Sequence, residues 1–378
     1  MILARFDPAA FLRDHWQRGP LVIRDPWDTW ANPLDPDDLA GLAGDDDVES
    51  RLIVRSGDAY ALEHGPVPAG RFAALPDRDW TLLVQAVDHA VPAVAALLDA
   101  FAFLPNWRID DVMVSYAADG GGVGPHFDAY DVFLIQGLGQ RRWRVGPRCD
   151  ATTPLRPHAD LRLLEGFAAT DEWLLGPGDI LYVPPGFAHD GVATGSDCMT
   201  YSVGFRAPSA ADLIGGFADA LLEEPDDARF ADPGRAPTAH PGAIAAADLD
   251  RLHAMVTAAA GDRAAFARWF GTHASTRKYP DLDWTPAAPT DAAALRARLA
   301  RRPGLARNPA SRFVFVEDGA SVTLFVDGAA FGCTGEAATL AKALCAGPRL
   351  RVTPAWRRSD SALAVLVALV DTGSIVLD

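Results

Sequence analysis

The first 206 residues consist largely of short apolar runs separated by turn residues, and this pattern restricts the fold more than any other feature. Runs of about four to eight residues bounded by Gly, Pro or Asp are typical of strands in an antiparallel sandwich or barrel. The runs lie at 21–24, 51–56, 111–117, 130–137, 141–146, 179–185 and 199–205, and helical spacing interrupts them at 7–17, 36–43 and 83–102. We therefore predict a β-sandwich or barrel with a few early helices.

Helical spacing takes over after Pro208. Ser209 is the predicted N-cap of a helix that continues to about Leu222, and further helices are predicted near 243–259 and 262–272. The first helix carries an apolar stripe formed by Leu213, Phe217, Leu221 and Leu222. Such a stripe packs against its own domain or against a second copy of the chain, and the sequence leaves both alternatives open.

The C-terminal part mixes helices and strands. A linker at 280–290 precedes a helix at 291–301, two strands that flank a turn at Gly319, and helices near 336–346 and 359–370. This combination in about ninety residues is typical of a winged-helix-like unit.

The net charge of −16 is unevenly distributed along the chain. From Thr285 to the end, eleven Lys or Arg oppose eight Asp or Glu, a balance of +3, so the first 284 residues carry −19. Such an acidic region repels polyphosphate and attracts basic partners, which would suit a basic protein substrate. The alternative is that the excess acid only aids solubility.

Nothing in the sequence predicts export or membrane insertion. The first twenty residues include Asp7 and Asp14 and lack the uninterrupted apolar core of a signal peptide. No apolar run approaches the roughly 18 to 20 residues that span a bilayer. The four cysteines are scattered without a C-x-x-C pair, which disfavours a zinc ribbon and a disulfide framework. We therefore expect a cytoplasmic protein that does not associate with membranes.

Three side chains have the spacing of a metal site. His126 and Asp128 are two residues apart, so both would face the same side of a strand. His189 follows the predicted strand at 179–185 and a Pro-Pro-Gly turn that would return it across the sheet. Two His and one carboxylate form a facial triad on Fe(II) that leaves positions open for a chelating cosubstrate and O2, whereas zinc more often takes three His or His with Cys. The sequence thus predicts catalytic iron at these residues.

The strand at 141–146 offers a cation for the cosubstrate. A 2-oxoglutarate molecule chelates iron through its keto acid end, and its far carboxylate fits the guanidinium fork of an arginine. Arg141 begins this strand with Trp143 on the same face, whereas Arg142 and Arg144 are expected to be solvated. Ser115, on the strand at 111–117, is a second candidate donor, or else an ordinary strand serine.

A candidate substrate pocket follows from period-two spacing on the predicted strands. Asp111 and Met113 share a face with Ser115, Tyr130 continues the face of His126 and Asp128, and Ser202 lies on the last strand. Asp111 would pair with a guanidinium while the other side chains flank its methylenes. The alternative is that Met113 belongs to the core and Asp111 is a strand-end charge.

Four segments together resemble the bacterial JmjC-type ribosomal oxygenases of the cupin superfamily. These are HWQRGPLVIRD, GPHFDAYDVFLIQGLGQRRWRVG, LGPGDILYVPPGFAHDG and MTYSVGFRAPS. The resemblance covers the first 210 residues strongly and the rest more loosely. It implies an α+β chain with a double-stranded β-helix (a JmjC cupin jelly roll) as catalytic domain at 1–207, a helical dimerisation domain at 208–279 and a winged-helix-like domain at 280–378.

The resemblance also implies an activity, that of an Fe(II)- and 2-oxoglutarate-dependent protein arginine 3-hydroxylase. Its substrate would be an arginine of large-subunit ribosomal protein sixteen. Iron would bind at His126, Asp128 and His189, and 2-oxoglutarate at Arg141. Asp111, Met113, Tyr130 and Ser202 would contact the substrate. A homodimer through the helical segment is implied, and direct DNA binding is not expected.

Rival interpretations remain open at the level of sequence. The same chemistry could act on a histidine of a ribosomal protein, as in eukaryotic relatives, on an asparagine or a tRNA base, or in lysine demethylation. A non-oxygenase cupin that only binds metal would not need Arg141 beside the iron strand. A transcription regulator would need a strongly basic recognition helix, which the C-terminal part lacks.

Overall fold

A computed structural model of the chain describes residues 2–223 and 228–377. It contains two compact units, the first formed by Met1–Ala207, Lys278–Trp284 and Arg307–Ala310, the second by Pro208–Arg277, Thr285–Ala306 and Ser311–Asp378. Residues 224–227 of the predicted dimerisation segment lie outside the described residues. Across the described ranges, none of the helices combines the length and apolarity that crossing a bilayer requires.

The first unit is a nine-stranded sheet with short helices. Its strands are β1 (Leu21–Ile23), β2 (Ser50–Ser56), β3 (Ala59–His64), β4 (Trp80–Val84), β5 (Ile109–Ala117), β6 (Asp131–Arg148), β7 (Asp171–Leu175), β8 (Ile180–Val183) and β9 (Phe187–Phe205). Its helices are α1 (Pro8–Asp14), α2 (Pro36–Leu42), α3 (Ala69–Phe72), α4 (Val87–Ala90) and α5 (Pro92–Ala95), with 3-10 turns at Leu98–Phe101 and Asn106–Arg108. The strand order is β1-β8-β6-β9-β5-β4-β2-β3, and β7 pairs with β6.

The two longest strands, β6 and β9, pair antiparallel along most of their length. The runs predicted at 130–137 and 141–146 are therefore parts of one strand. Register shifts between Gln136 and Gln140 mark the intervening Gly-Leu-Gly segment as a β-bulge rather than a strand end. Gly139 has a φ of 60° there, and a Cβ would lie 2.8 Å from the carbonyl oxygen of Asp197, so this position requires glycine.

A buried carboxylate holds the start of β6. Asp131 accepts hydrogen bonds from Tyr182 Oη at 2.6 Å, from Arg108 Nη2 at 2.7 Å and from Gln17 Nε2 at 2.9 Å. Its side chain is fully buried, and such a charge is stable inside a protein only when it is well paired. These contacts fix the point at which the loop that carries His126 and Asp128 enters the sheet.

The single helix expected over 83–102 is wrong. The segment begins inside β4, which pairs with β2 and β5, and only then forms α4, α5 and a 3-10 turn. Pro92 separates the two short helices, because a proline disfavours helical geometry in the residue before it. The apolar spacing in this segment thus reflects burial against the sheet rather than one continuous helix.

The second unit contains the predicted helices and a strand-rich C-terminal part. Its helices are α6 (Ala210–Glu223), α7 (Ala246–Ala260), α8 (Arg263–Ser275), α9 (Ala292–Arg301), α10 (Glu336–Ala346), α11 (Pro354–Arg358) and α12 (Asp360–Asp371). Its strands are β10 (Gly304–Arg307), β11 (Phe313–Asp318), β12 (Ser321–Val326), β13 (Ala329–Cys333), β14 (Arg349–Arg351) and β15 (Ile375–Leu377), in two three-stranded sheets. Ser209 caps α6 as predicted, since its Oγ accepts from Asp212 N at 3.1 Å.

Candidate active site

The three predicted metal ligands come together, although by a different route from the one that the spacing suggested. His126 and Asp128 lie in the loop before β6 rather than on a regular strand. His126 forms an isolated antiparallel bridge with His189 at the start of β9, with N–O distances of 3.0 and 2.8 Å. Gly186 N donates to Asp128 O at 2.7 Å. Backbone pairing with the Pro-Pro-Gly turn therefore positions the loop, and strand periodicity does not.

The side chains of the triad are oriented for a common ligand. One ligand atom from each residue lies within 4.8 Å of the other two. Asp128 Oδ2 is 3.8 Å from His126 Nε2 and 3.5 Å from His189 Nε2. Nδ1 of His126 lies 2.9 Å from Gly124 O, and Nδ1 of His189 lies 3.0 Å from Phe187 O. A carbonyl oxygen only accepts, so both Nδ1 atoms carry the proton and both Nε2 lone pairs face the carboxylate.

His189 is held in the neutral state that a metal ligand needs. Its side chain is buried, and this burial, together with the neighbouring His126, lowers the pKa of His189 to about 4. Near neutral pH its imidazole is therefore uncharged, with a proton on Nδ1 and a free lone pair on Nε2. Two imidazoles and one carboxylate on one side fit a divalent ion that keeps further positions open, and the set fits Fe(II) better than a closed tetrahedral zinc site.

Arg141 lies in the same cavity as the triad and is itself buried. Its guanidinium stacks over Trp143 at 5.7 Å, and Nη2 reaches Ser115 Oγ at 3.5 Å. Its Nε has no hydrogen-bond partner, and among the described residues no carboxylate lies within ion-pairing distance. A buried cation in this state is costly unless an anion binds beside it. The cavity is therefore built for a ligand with a carboxylate at the Arg141 end.

Two further polar groups belong to this cavity, of which the sequence interpretation placed Trp143 beside Arg141 and missed Thr81. Thr81 Oγ1 and Trp143 Nε1 are buried without a partner, and both residues line the cavity. Thr81 lies on β4, a strand that the predicted 83–102 helix had obscured, so no sequence signal linked it to the site. Unsatisfied donors near Arg141 are consistent with a polar ligand that completes their hydrogen bonds.

A second cavity of about 280 Å³, here called the acidic cavity, contains all four predicted substrate residues. Its wall residues include Asp111, Met113, Tyr130, Ser202 and, unpredicted, Glu49, Gln85, Asp110 and Lys278. The sheet brings two of the predicted residues together, since Met113 on β5 pairs directly with Ser202 on β9, whereas Tyr130 lies in the loop before β6. Met113, Tyr130 and Ser202 also line the cavity of the triad, so the two cavities adjoin.

Asp111 is not the strand-end charge of the alternative interpretation. Its carboxylate is buried, and Oδ2 accepts from Gln85 Nε2 at 2.7 Å, from Ala86 N at 2.9 Å and from Lys278 Nζ at 2.9 Å. Sequence reasoning missed Gln85 and Lys278, because neither belongs to a recognisable motif and Lys278 is remote along the chain.

The prediction that Arg142 and Arg144 are solvated is half wrong. Arg142 is exposed and only approaches Glu172, at 3.6 Å. Arg144 forms an ion pair with Asp190, whose carboxylate is buried beside His189. Its guanidinium also lies 5.4 Å from the ring centre of Phe167. Arg144 thus neutralises a buried charge next to a metal ligand, which strand periodicity alone does not reveal.

Comparison with known protein families assigns two regions of the chain. Residues 96–213 match the model of the JmjC domain, and residues 257–375 match the ROXA-like winged helix. These matches confirm the predicted combination of a JmjC cupin domain with a winged-helix-like C-terminal domain.

Two curated bacterial proteins are similar in sequence. The ribosomal protein uL16 3-hydroxylase of Escherichia coli K12 is 43% identical over 280 residues, which cover 74% of each chain. A probable ribosomal oxygenase of Haemophilus influenzae is 42% identical over 223 residues, covering 58% of this chain and 54% of the other.

Solved structures are similar over nearly the whole length. The X-ray structure of E. coli ycfD superposes with a TM-score of 0.90 at 36% identity and covers 99% of this chain and 98% of the other. A structure of YcfD, described as a ribosomal oxygenase, in complex with cobalt and 2-oxoglutarate has a TM-score of 0.87 at 36% identity and covers both chains completely.

Proposed function

The chain belongs to the bacterial JmjC-type ribosomal oxygenases, and from this premise we propose that it is an Fe(II)- and 2-oxoglutarate-dependent oxygenase that hydroxylates an arginine side chain of ribosomal protein uL16. The observation that carries the oxygenase assignment is Arg141, a buried guanidinium without an anionic partner among the described residues, in the same cavity as a facial triad. A cupin that only binds metal has no use for such a costly cation.

Two groups of residues in the site bind the two ligands. His126, Asp128 and His189 hold the iron, and Arg141, with Ser115 beside it, receives the far carboxylate of 2-oxoglutarate. When bound, the iron supplies the activation of O2 and the oxidation of an unactivated C–H bond, with succinate and CO2 as coproducts. The complex of the similar YcfD with cobalt and 2-oxoglutarate supports the binding of a metal ion together with 2-oxoglutarate here.

The chain's own contribution is orientation and exclusion of water. Backbone carbonyls of Gly124 and Phe187 fix the two imidazole rings, so the metal ligands do not have to reorganise. The Arg144–Asp190 ion pair neutralises the buried carboxylate of the residue that follows His189 on β9. Asp111 in the acidic cavity then places a cationic side chain so that its methylenes point toward the triad.

An arginine is favoured over the rival targets by the charge of the acidic cavity. Asp111, Asp110 and Glu49 line it, and Lys278 is the basic residue on its wall. A neutral histidine or asparagine would leave this excess of carboxylates unused, and a tRNA base would bring phosphates toward it. The name of the E. coli relative specifies uL16, and the arginine assignment rests on the cavity and on the family resemblance.

Substitution of Asp111 by Asn is expected to raise the KM for a uL16 peptide about thirtyfold or more, since a buried charge-assisted contact contributes about 2 to 3 kcal/mol. The rate at which 2-oxoglutarate is consumed without peptide should not change, because the triad and Arg141 remain intact. Succinate formation with and without peptide measures both quantities. Asp171→Asn, at an exposed site on β7, is the control. An unchanged peptide KM would contradict the arginine pocket.

The substrate itself is tested in cells. Ribosomal proteins from strains with and without the gene are compared by intact mass, and uL16 should lose the mass of one oxygen in the deletion strain. Fragmentation then locates the modified residue and decides between arginine and histidine. A mass change on another protein would redirect the substrate assignment, and no change on any ribosomal protein would remove it.

We further propose that the helical segment joins two copies of the chain. Phe217 packs inward on Phe266 and Trp269, at ring distances of 5.2 and 5.4 Å. Ile214, Leu222 and Val256 are about 70% exposed and line an apolar groove of about 600 Å³ in the second unit. Exposed apolar surface of this kind marks a contact site, and the chain's own helices offer a self-complementary partner.

The variant Leu222→Asp is expected to convert a dimer into a monomer, because a charge would enter an apolar interface. Light scattering after size exclusion should then give the mass of one chain, 40.2 kDa, where the unmodified protein gives twice that value. Leu174→Asp introduces the same charge at another exposed leucine, on β7 of the first unit, and should leave the dimer intact. A dimer that survives Leu222→Asp would exclude this groove as the interface.

A ribosomal protein substrate also supports a cytoplasmic location, where ribosomes are found. The division into a catalytic domain at 1–207, a dimerisation domain at 208–279 and a winged-helix-like domain at 280–378 remains our working description of the chain. No role in DNA binding is proposed for the C-terminal domain.

A further inference from the structure

Lys278 occupies the acidic cavity in an unexpected way. Its Nζ lies 2.9 Å from Asp110 Oδ2 and 2.9 Å from Asp111 Oδ2. Its side chain is largely buried, and although that burial opposes charge, the carboxylates of Asp111 and Asp110 raise the pKa of Lys278 above its ordinary value. The ammonium is therefore charged, and it forms an ion pair with Asp111, the carboxylate proposed to bind the substrate cation.

Tyr279, the residue after Lys278, anchors the segment that carries this ammonium. Tyr279 donates through its hydroxyl to Glu49 Oε2 at 3.0 Å, and its ring packs edge-on against His89 at 6.2 Å. The segment Lys278–Trp284 also clusters with the first unit rather than with the helices that precede it. The position of Lys278 is thus built by its own neighbours and is not a chance contact of a surface lysine.

The choice of residue type is informative as well. The chain contains only two lysines, Lys278 and Lys342, and its other Lys-or-Arg positions are all arginines. An ammonium is a compact donor that bridges single oxygens, whereas a guanidinium forms a planar fork. All described contacts to Asp111 go to Oδ2, and no described residue donates to Oδ1. A lysine here neutralises the carboxylate pair without taking the second oxygen that a fork would use.

We infer that Lys278 is a tethered competitor for the substrate cation and thereby a specificity-determining residue. This inference rests on the proposed arginine hydroxylation. An incoming lysine ammonium could offer Asp111 only the kind of contact that Lys278 already makes, and it would be repelled by the resident charge. An incoming guanidinium gains contacts at Oδ1 that Lys278 does not provide, so it binds in spite of the same repulsion.

Removal of the positive charge tests the inference directly. Lys278→Met should lower the KM for an arginine-containing uL16 peptide about fivefold, as expected for loss of one partly screened charge a few ångströms away. The kcat should not change, because Lys278 does not reach the triad cavity. For a matched peptide with lysine at the target position, affinity should rise more than for the arginine peptide, so discrimination between the two falls.

Matched variants separate charge from structure. Lys278→Arg keeps the charge but supplies the planar fork that would also take Oδ1 of Asp111, so it should raise the KM for the arginine peptide above that of the unmodified protein. Lys278→Gln provides a second neutral side chain in case the methionine variant is unstable. Lys342→Met removes the other lysine, which pairs with Glu317 at an exposed site of the second unit, and should change nothing.

A binding measurement makes the test independent of turnover. Ligand-observed NMR under anaerobic conditions, with Fe(II) and 2-oxoglutarate present, gives the Kd of N-acetyl-arginine amide and of N-acetyl-lysine amide. Tighter binding of both probes to Lys278→Met, with a smaller ratio between them, supports the inference. Unchanged or weaker binding overturns it, because Lys278 would then only brace Asp111. If no uL16 peptide is hydroxylated by the unmodified protein, the proposed substrate fails, and the two probes still decide the role of Lys278.

Discussion

Substitution of His126 by Ala is expected to lower 2-oxoglutarate turnover by on the order of a thousandfold or more, because iron activates both the cosubstrate and O2 and has no substitute in the chain. The imidazole supplies one of three protein ligands, and Asp128 and His189 alone give a weak two-ligand site. Bound metal per chain after anaerobic loading with Fe(II) should fall well below one equivalent. Metal analysis and succinate formation measure the two effects separately.

The structure also predicts that this variant stays folded. The backbone bridge between His126 and His189 uses main-chain atoms, which alanine retains. The control is His64→Ala, which removes an exposed histidine at the end of β3 and should leave metal content and turnover unchanged. Full metal occupancy with normal turnover in His126→Ala would contradict the proposed iron site.

Substitution of Arg141 by Met is expected to raise the KM for 2-oxoglutarate about a hundredfold. A buried charge-assisted contact with a carboxylate contributes about 3 kcal/mol, which corresponds to this factor. The metal should still bind, since the triad does not contact Arg141. Titration of 2-oxoglutarate in the succinate assay, together with metal analysis, separates loss of cosubstrate binding from loss of iron.

Arg141→Met is expected to weaken cosubstrate binding without destabilising the fold. Without cosubstrate, Arg141 is a buried cation whose Nε has no partner, so replacement by an apolar side chain of similar length should leave the melting temperature unchanged or raise it. Added 2-oxoglutarate should stabilise the unmodified protein by mass action and should not stabilise the variant. Arg142→Met, at an exposed site on the same strand, is the matched control. A large loss of stability in Arg141→Met would show that Arg141 has a structural role instead.

Sequence reasoning succeeded where the relevant information is local. The H-x-D segment with His126 and Asp128, the Pro-Pro-Gly turn before His189 and the Gly-Leu-Gly segment before Arg141 are each short stretches of chain. Residue chemistry then predicts iron and 2-oxoglutarate almost without geometry, because few other ligands fit two imidazoles, a carboxylate and a separate guanidinium. The N-cap at Ser209 is local in the same sense and was found for that reason.

The failures are all non-local. Thr81 was missed because the strand character of Trp80–Val84 arises from pairing with β2 and β5, which apolar spacing cannot distinguish from a helix. Arg144 was expected in solvent because local spacing cannot reveal its partner, Asp190, which lies on the other strand of a long pair. The register of that pair depends on bulges near Gln136 and Gln140, and bulges shift which side chains meet.

The sequence by itself determined the chemistry at the triad, because the identity and order of His126, Asp128, His189 and Arg141 leave few other interpretations. Only the tertiary structure decided what surrounds Asp111. Lys278 reaches this carboxylate across 167 residues, through a segment that folds back onto the first unit. Such a contact follows from chain closure and packing rather than from any periodicity, so the charge that a substrate meets in the acidic cavity becomes visible only after the whole chain is folded.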